Sequence, residues 1–349
     1  MESNSASKKL ISLVLLVGGI VLLCGSLVLD FMGNTASYRG PVLVVGLIAF
    51  LAGLYFFPTT SHHRDIINFL FVFPLLFTFG VTVIIPLCLG IFYSMTDWNG
   101  LSKTYQFIGL KNFVEMLGDT YFWNSMWFTF KYVIVMVVVA NVTALVLAVA
   151  IESRDHAKGF FRTIFYMPNM ISMVIGGYMW MFIFTKVLYY MADNWGVTFF
   201  DKSWIGDPKY AFIAIIVVAA WGAVGYLMII YMAALQGVPT ELKEAAALDG
   251  AGSWKRFWNV TFPLIQHAVT ICVFWTLNSG FQVFDVIYSL TGGGPGRATQ
   301  SAAINIYEEA FQGNIRYGYA TAKSTTLFLI VLVITAVQLK LMQGKEQEL

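Results

Sequence analysis

Residues 237–263, GVPTELKEAAALDGAGSWKRFWNVTFP, form the longest polar interruption in a chain that otherwise reads as membrane. Two very apolar segments flank them, Ala211–Leu235 and His267–Leu290. Pro239 suits the first turn of a helix, where its missing N–H would have no partner anyway. Glu241 and Glu244 then lie near the positive end of the helix dipole. Leu242, Ala245 and Ala246 share one face by i, i+3, i+4 spacing, and Asp249-Gly250 stops the helix. A helix from Thr240 to Leu248 is roughly 12–14 Å long at 1.5 Å per residue. Ser253 can cap a second short helix that ends near Pro263. The alternative is an amphipathic helix lying on lipid, but the segment is weakly hydrophobic and not basic enough. A short helix with a small, flat face between two spans fits a docking element better.

Composition supports the membrane reading. The 349 residues are 58% hydrophobic and 11% charged, which no soluble domain of this size matches. A net charge of +2 is too small to suggest a nucleic-acid partner. Cys24, Cys88 and Cys272 all fall in apolar runs, so they read as packing residues rather than a disulfide framework or metal site.

Eight apolar segments are long enough to cross a bilayer, allowing for tilt: Leu10–Leu29, Pro41–Phe57, Ile67–Ser94, Trp127–Ile151, Thr163–Phe184, Ala211–Leu235, His267–Leu290 and Thr325–Leu341. Lys8-Lys9 before the first could mark a signal peptide. That segment is long enough to span, however, and no small-x-small cleavage site follows it, so we read an uncleaved helix. Eight spans put both termini on one side. With the termini inside, the inner set holds eleven of the 21 Lys and Arg, and Lys8-Lys9 and the Arg154–Arg162 cluster point inward.

Glu244-Ala245-Ala246, followed by Asp249-Gly250-Ala251, Phe257, Val260 and Pro263, closely resembles the EAA loop of ATP-binding-cassette importer permeases. The departures are Phe262 and Val260, where the family usually has Leu and Ile. The resemblance runs from about Phe69 to Leu341. It includes Phe165-Tyr166-Met167-Pro168, Trp204-Ile205-Gly206-Asp207-Pro208, Phe284-Asp285, the run Leu290-Thr291-Gly292-Gly293-Gly294-Pro295 with Thr299, Ile306-Tyr307, Phe311 and Tyr317-Gly318. Together these look like the first of the two unlike permeases of the carbohydrate-uptake, maltose-type branch. Met95–Met126 is only a modest loop, where the maltose-type permease carries a large domain.

The resemblance implies an all-α polytopic permease: two N-terminal transmembrane helices over residues 1–66, then a six-helix core over 67–349. It implies a multi-pass protein of a bacterial or archaeal cell membrane with a cytoplasmic N-terminus. It also implies a heterodimer with a second permease, two cytoplasmic ATPase subunits that bind ATP and Mg, and an extracytoplasmic solute-binding protein. The chain itself would hold no cofactor and catalyse nothing. Glu241, Glu244, Ala245, Ala246, Leu248, Asp249 and Gly250 would contact the ATPase. Its closure would draw the two EAA helices together in an alternating-access cycle.

A sugar site needs polar and aromatic groups on cavity-facing helices near mid-membrane. On the seventh span, Thr276, Ser279, Gly280 and Val283 form one helical stripe, with Asn278 and Gln282 on an adjacent one. On the sixth, Gly222, Ala223 and Tyr226 form a matching face with Trp221 beside it. The competing reading gives the small residues to close helix packing and the polar ones to interhelical hydrogen bonds. Gly222, Ala223, Tyr226, Thr276, Ser279, Gly280 and Val283 also fall at positions similar to the sugar contacts of maltose-type permeases.

Other features read as structural. Gly292–Gly296 lacks the Gly-Lys-Ser/Thr ending of a phosphate-binding loop and reads as a turn. His62-His63 has no further ligand group nearby and reads as a solvated loop. Asn141-Val142-Thr143 matches a glycosylation acceptor, but it lies mid-span. Lys131, Glu152, His267 and Asp285 lie near span ends, and no span carries a carboxylate, His or Lys at its centre. That counts against an ion-coupled carrier, the alternative in transport, as a non-sugar solute such as glycerol phosphate is the alternative in substrate. No nucleophile with a base at usable spacing suggests an intramembrane enzyme.

Overall fold

The computed structural model describes residues 2–31, 39–55, 64–154, 156–313 and 315–346. They divide into two compact units, Met1–Leu87 and Cys88–Leu349. His62-His63 lies outside the described residues.

In the first unit, α1 (Glu2–Phe31) and α2 (Arg39–Tyr55) pack as a helical hairpin. Glycines let the backbones meet: a Cβ added at Gly19 would sit 2.6 Å from the Phe50 nitrogen, and one at Gly53 would sit 2.7 Å from that of Leu16. Ser12 Oγ donates a 2.8 Å bond to the Gly53 carbonyl. A third helix, α3, runs over residues 64–94 with a π turn at Gly80–Ile84.

The second unit follows with α4 (Lys111–Leu117), α5 (Thr120–Glu152), α6 (Lys158–Tyr166), α7 (Met173–Trp195), α8 (Pro208–Gln236), α9 (Thr240–Leu248), α10 (Ser253–Leu264), α11 (Gln266–Phe281), α12 (Asp285–Leu290), α13 (Ala302–Phe311) and α14 (Tyr317–Glu346). Its centre is α5 against α8. Ala140, Ala144 and Ala148 on α5 and Ala211, Ala214 and Val218 on α8 are fully buried, so small side chains set the approach of the two helices. Local chemistry starts both helices. Asp119 accepts from the Phe122 N–H at 3.0 Å and Asp207 from the Lys209 N–H at 2.8 Å, and Pro208 takes the first position of α8.

Among the described residues, five helices are long and apolar enough to cross a membrane: Phe71–Ser94, Thr120–Glu152, Met173–Trp195, Pro208–Gln236 and Tyr317–Met342. A sixth crossing results if α10 and α11, bent by 71° at their junction, count as one. Shorter apolar stretches occupy Ile11–Ser26 and Gly40–Gly53. The fold is therefore an all-helical, multi-pass membrane protein.

Two of the spans expected from hydropathy are interrupted. The segment 163–184 does not run as one helix: α6 ends at Tyr166, a 3-10 turn covers Met167–Met170, and α7 starts at Met173. Pro168 has no N–H to donate, so the break falls beside it. The segment 267–290 also breaks, because α11 stops at Phe281 and α12 begins at Asp285. Gly292–Gly296 is a turn, with positive φ at Gly292, Gly293 and Gly296. Thr291 and Thr299 share a hydroxyl hydrogen bond of 2.9 Å, and Thr299 also bonds the Gly294 carbonyl. The turn is thus closed by hydrogen bonds from its own threonines.

Candidate functional site

The α9 helix occupies the expected Thr240–Leu248. Pro239 precedes it as the N-cap (φ −55°, ψ 132°) rather than entering its first turn. The end is a Schellman motif: the Gly250 N–H donates to the Ala247 carbonyl at 3.1 Å and that of Ala251 to Ala246 at 3.0 Å. Gly250 holds φ +78°, and nothing lies within 4 Å of where its Cβ would be. Its requirement is conformational, not steric.

Of the residues expected at a docking face, Glu241, Glu244, Ala245, Leu248, Asp249 and Gly250 are exposed, and Leu248 is 90% so. Ala246 is half-buried, as is Lys243 one turn earlier. Ser253 is the first residue of α10 behind a Gly252 N-cap and makes no side-chain cap, because its hydroxyl accepts from Arg256 at 3.2 Å. The base of the unit is tied together beside α9. Glu152, at the end of α5, accepts from Lys158 at 2.9 Å and from Gln236 at 3.1 Å.

A cavity of about 330 Å³ lies deeper in the second unit. Both interrupted spans open onto it, through Pro168, Asn169, Ile171 and Met173 on one side and Gln282 to Val286 on the other. Tyr132 and Met136 on α5 and Ala219 on α8 complete its wall. Of the ten residues expected at a sugar site, Gly222, Ala223, Thr276, Ser279, Gly280, Gln282 and Val283 line this cavity. Val283 reaches it from unwound chain beyond α11, not as part of a helical stripe.

Trp221, Tyr226 and Asn278 do not line the cavity. Trp221 packs edge-on against Trp180 at 5.7 Å. Tyr226 packs against the lining residue Trp275, ring centroids 5.1 Å apart. Asn278 donates to the Phe274 carbonyl at 3.0 Å. The sequence reading missed Tyr132, Asn169, Trp275 and Asp285. Pro168 was the available signal for Asn169, which donates to the Gly222 carbonyl at 3.2 Å.

Thr276 is also a structural residue. Its hydroxyl donates to the Cys272 carbonyl at 2.7 Å and accepts from Asn141 at 3.1 Å. Asn141 in turn accepts from the Tyr231 hydroxyl at 2.9 Å. This chain links α5, α8 and α11 beside the cavity.

At the end of the unit remote from α9, Lys323 on α14 is 1% exposed. Its ammonium lies 2.8 Å from Asp119, 2.9 Å from Glu309 and 3.0 Å from Asn305. The sequence reading credited no span with such a lysine, because its last span began at Thr325. Burial pushes the Asp119 carboxyl up, but the Lys323 hydrogen bond and charge, the Phe122 N–H and the Tyr319 hydroxyl outweigh it. The net effect holds Asp119 below the ordinary carboxylate value.

A family profile described as "Binding-protein-dependent transport system inner membrane component" matches residues 140–344. The chain is 41% identical over 280 residues to the probable starch degradation products transport system permease protein AmyD of Thermoanaerobacterium thermosulfurigenes, covering 80% of this chain and 95% of that protein. It is 33% identical to the multiple sugar-binding transport system permease protein MsmF of Streptococcus mutans, over 73% of this chain and 88% of that protein. Its fold is similar to a chain of a bacterial alginate ABC transporter solved in complex with an alginate pentasaccharide-bound periplasmic protein. That match has a TM-score of 0.69 at 22% identity and covers 81% of this chain and 96% of the other.

Proposed function

The chain belongs to the family of binding-protein-dependent transport system inner membrane components, and from that premise we propose that it carries a neutral sugar or oligosaccharide through the cavity between its two interrupted spans. It is a permease, not an enzyme; the ATP and Mg of the cycle belong to two partner ATPase subunits, docked on the exposed face of α9. A second permease completes the pathway, and an extracytoplasmic binding protein delivers the sugar. The two short apolar N-terminal stretches bring the span count to eight, with the N-terminus cytoplasmic.

One observation carries the substrate class. The cavity wall offers hydroxyls, amides and the Trp275 ring, and no Lys, Arg or His is among its lining residues. Neutral polyols suit such a wall, through hydrogen bonds and an aromatic face. An anionic solute such as glycerol phosphate would meet no cation and one carboxylate, Asp285. The chain also unwinds at 282–284 against the cavity, the kind of break at which discontinuous helices of transporters bind their solutes.

The test is binding-protein-stimulated ATP hydrolysis by the reconstituted complex, offered neutral malto-oligosaccharides or sn-glycerol 3-phosphate with the cognate binding protein. Stimulation by the phosphate alone would overturn the reading.

A further inference from the structure

One face of α5 is a row of exposed apolar side chains: Ile134, Val138, Val142 and Val146 are 63, 57, 56 and 60% exposed. Trp127, 64% exposed, begins the row. Such a row on a membrane span faces acyl chains. Lys131 stands in it, one turn from Trp127, exposed and with no hydrogen-bond or ion-pair partner among the described residues.

Depth explains how a charge is tolerated there. The 33 residues of α5 are about 50 Å long, against about 30 Å of hydrocarbon. Centred in the bilayer, the helix would put the Lys131 backbone about 6 Å inside the boundary. A lysine side chain covers that distance by extending toward the headgroups. Trp127 and Tyr121 lie on the headgroup side of it, where aromatic residues anchor spans.

A cavity of about 310 Å³ opens beside Lys131, and its lining includes Tyr121, Asn124, Trp127 and Arg297. Lys131 and Arg297 are the only charged groups in that wall. Arg297 is positioned from the turn after α12: its guanidinium lies 4.8 Å over the Tyr121 ring and 3.6 Å from Glu308, with the side chain 54% exposed. The Gln300 amide is already taken, donating to Glu308 and accepting from Ser125.

We propose that Lys131 and Arg297 hold the phosphate of an anionic phospholipid, in the leaflet remote from α9. Two cations at a notch that also holds Tyr121 and Trp127 and adjoins the apolar row match a headgroup above its acyl chains. The ligand is a lipid rather than a soluble anion, because the notch continues into the exposed apolar row.

The assembled transporter, extracted in mild detergent, is examined by native mass spectrometry for retained phosphatidylglycerol. Lys131→Leu, which extends an already apolar row, is expected to lower retention about five-fold, the effect of one lysine near an anionic surface. Arg297→Gln should act in the same direction, and Lys131→Arg should retain the lipid. Unchanged retention in the Lys131→Leu, Arg297→Gln double variant overturns the proposal. So does displacement of the wild-type signal by millimolar inorganic phosphate. If Lys131→Leu releases the second permease while the lipid count stays constant, the lysine belongs to a subunit contact and the proposal fails.

Discussion

Lys323 holds its ammonium 2.8 Å from the Asp119 carboxylate, with side-chain exposures of 1% and 16%. The pair joins the second turn of α14 to the N-cap of α5, and Glu309 brings in α13. Removing one partner of a buried pair typically costs about 3–5 kcal/mol, because the other charge stays behind. Lys323→Met strands two carboxylates and should lower the unfolding midpoint of the detergent-solubilised complex more than Glu309→Gln does. Equal small shifts would mean that water already solvates the cluster.

The same pair sets an acid limit. A carboxyl whose native pKa is depressed adds stability that is fully present above its unfolded value, ordinarily 3.8. That stability is lost as pH falls through the lowered native value. Between pH 5 and pH 8 the wild type and Asp119→Asn should therefore differ by a constant amount in unfolding midpoint. The gap should narrow only in stronger acid.

Asn141 bridges Tyr231 and Thr276 at 2.9 and 3.1 Å. Interhelical hydrogen bonds in membranes are worth about 0.6–2 kcal/mol each. Asn141→Leu should cost roughly 1–3 kcal/mol in unfolding assays and lower uptake less than two-fold at permissive temperature. A larger loss of uptake at unchanged stability would place the Asn141 amide in the transport pathway itself.

Trp275 lines the cavity and Tyr226 packs against its ring. Trp275→Ala should reduce sugar uptake about ten-fold or more, equivalent to about 1.4 kcal/mol, with basal ATP hydrolysis unchanged. Tyr226→Ala should act in the same direction but more weakly, and Tyr226→Phe should be near neutral, since only the ring contact is at stake. Normal uptake by the Trp275 and Tyr226 alanine variants would move the site onto the second permease.

Gly250 holds φ +78° in open space. Gly250→Val meets no clash but pays about 1–2 kcal/mol for the left-handed backbone, which frays the end of α9. Co-purification of the ATPase should fall while the permease still assembles in the membrane, and Gly250→Asn should keep most of the coupling. Unchanged ATPase retention in Gly250→Val would remove α9 from the docking surface.

What the sequence made legible was local. The bounds of α9 followed from Pro239 and Gly250, because caps are decided within a few residues; the cap at Asp207-Pro208 is just as local, but the span was read only from Ala211. Hydropathy located the apolar segments but averaged across the breaks at 167–172 and 282–284, since each is short and holds only one or two polar residues. Lys323 and Asn141 were beyond local reading. Their partners lie in other helices, up to 204 residues away for Lys323 with Asp119 and 135 for Asn141 with Thr276. The cavity residues missed, Tyr132 and Trp275 among them, look like ordinary span residues until the packing shows which face is open.

If ATPase closure acts on α9 as proposed, the 71° bend between α10 and α11 would work as a crank. A push on the surface around α9 reaches α10 as a short displacement, and the bend turns it into a swing of the longer arm. With 16 residues, α11 is about 24 Å long, so a rotation of about 10° carries its far end about 4 Å. That far end is Phe281, where the unwound chain of the cavity wall begins. On that reading a stroke at the base of the unit would be felt at the cavity wall in its centre.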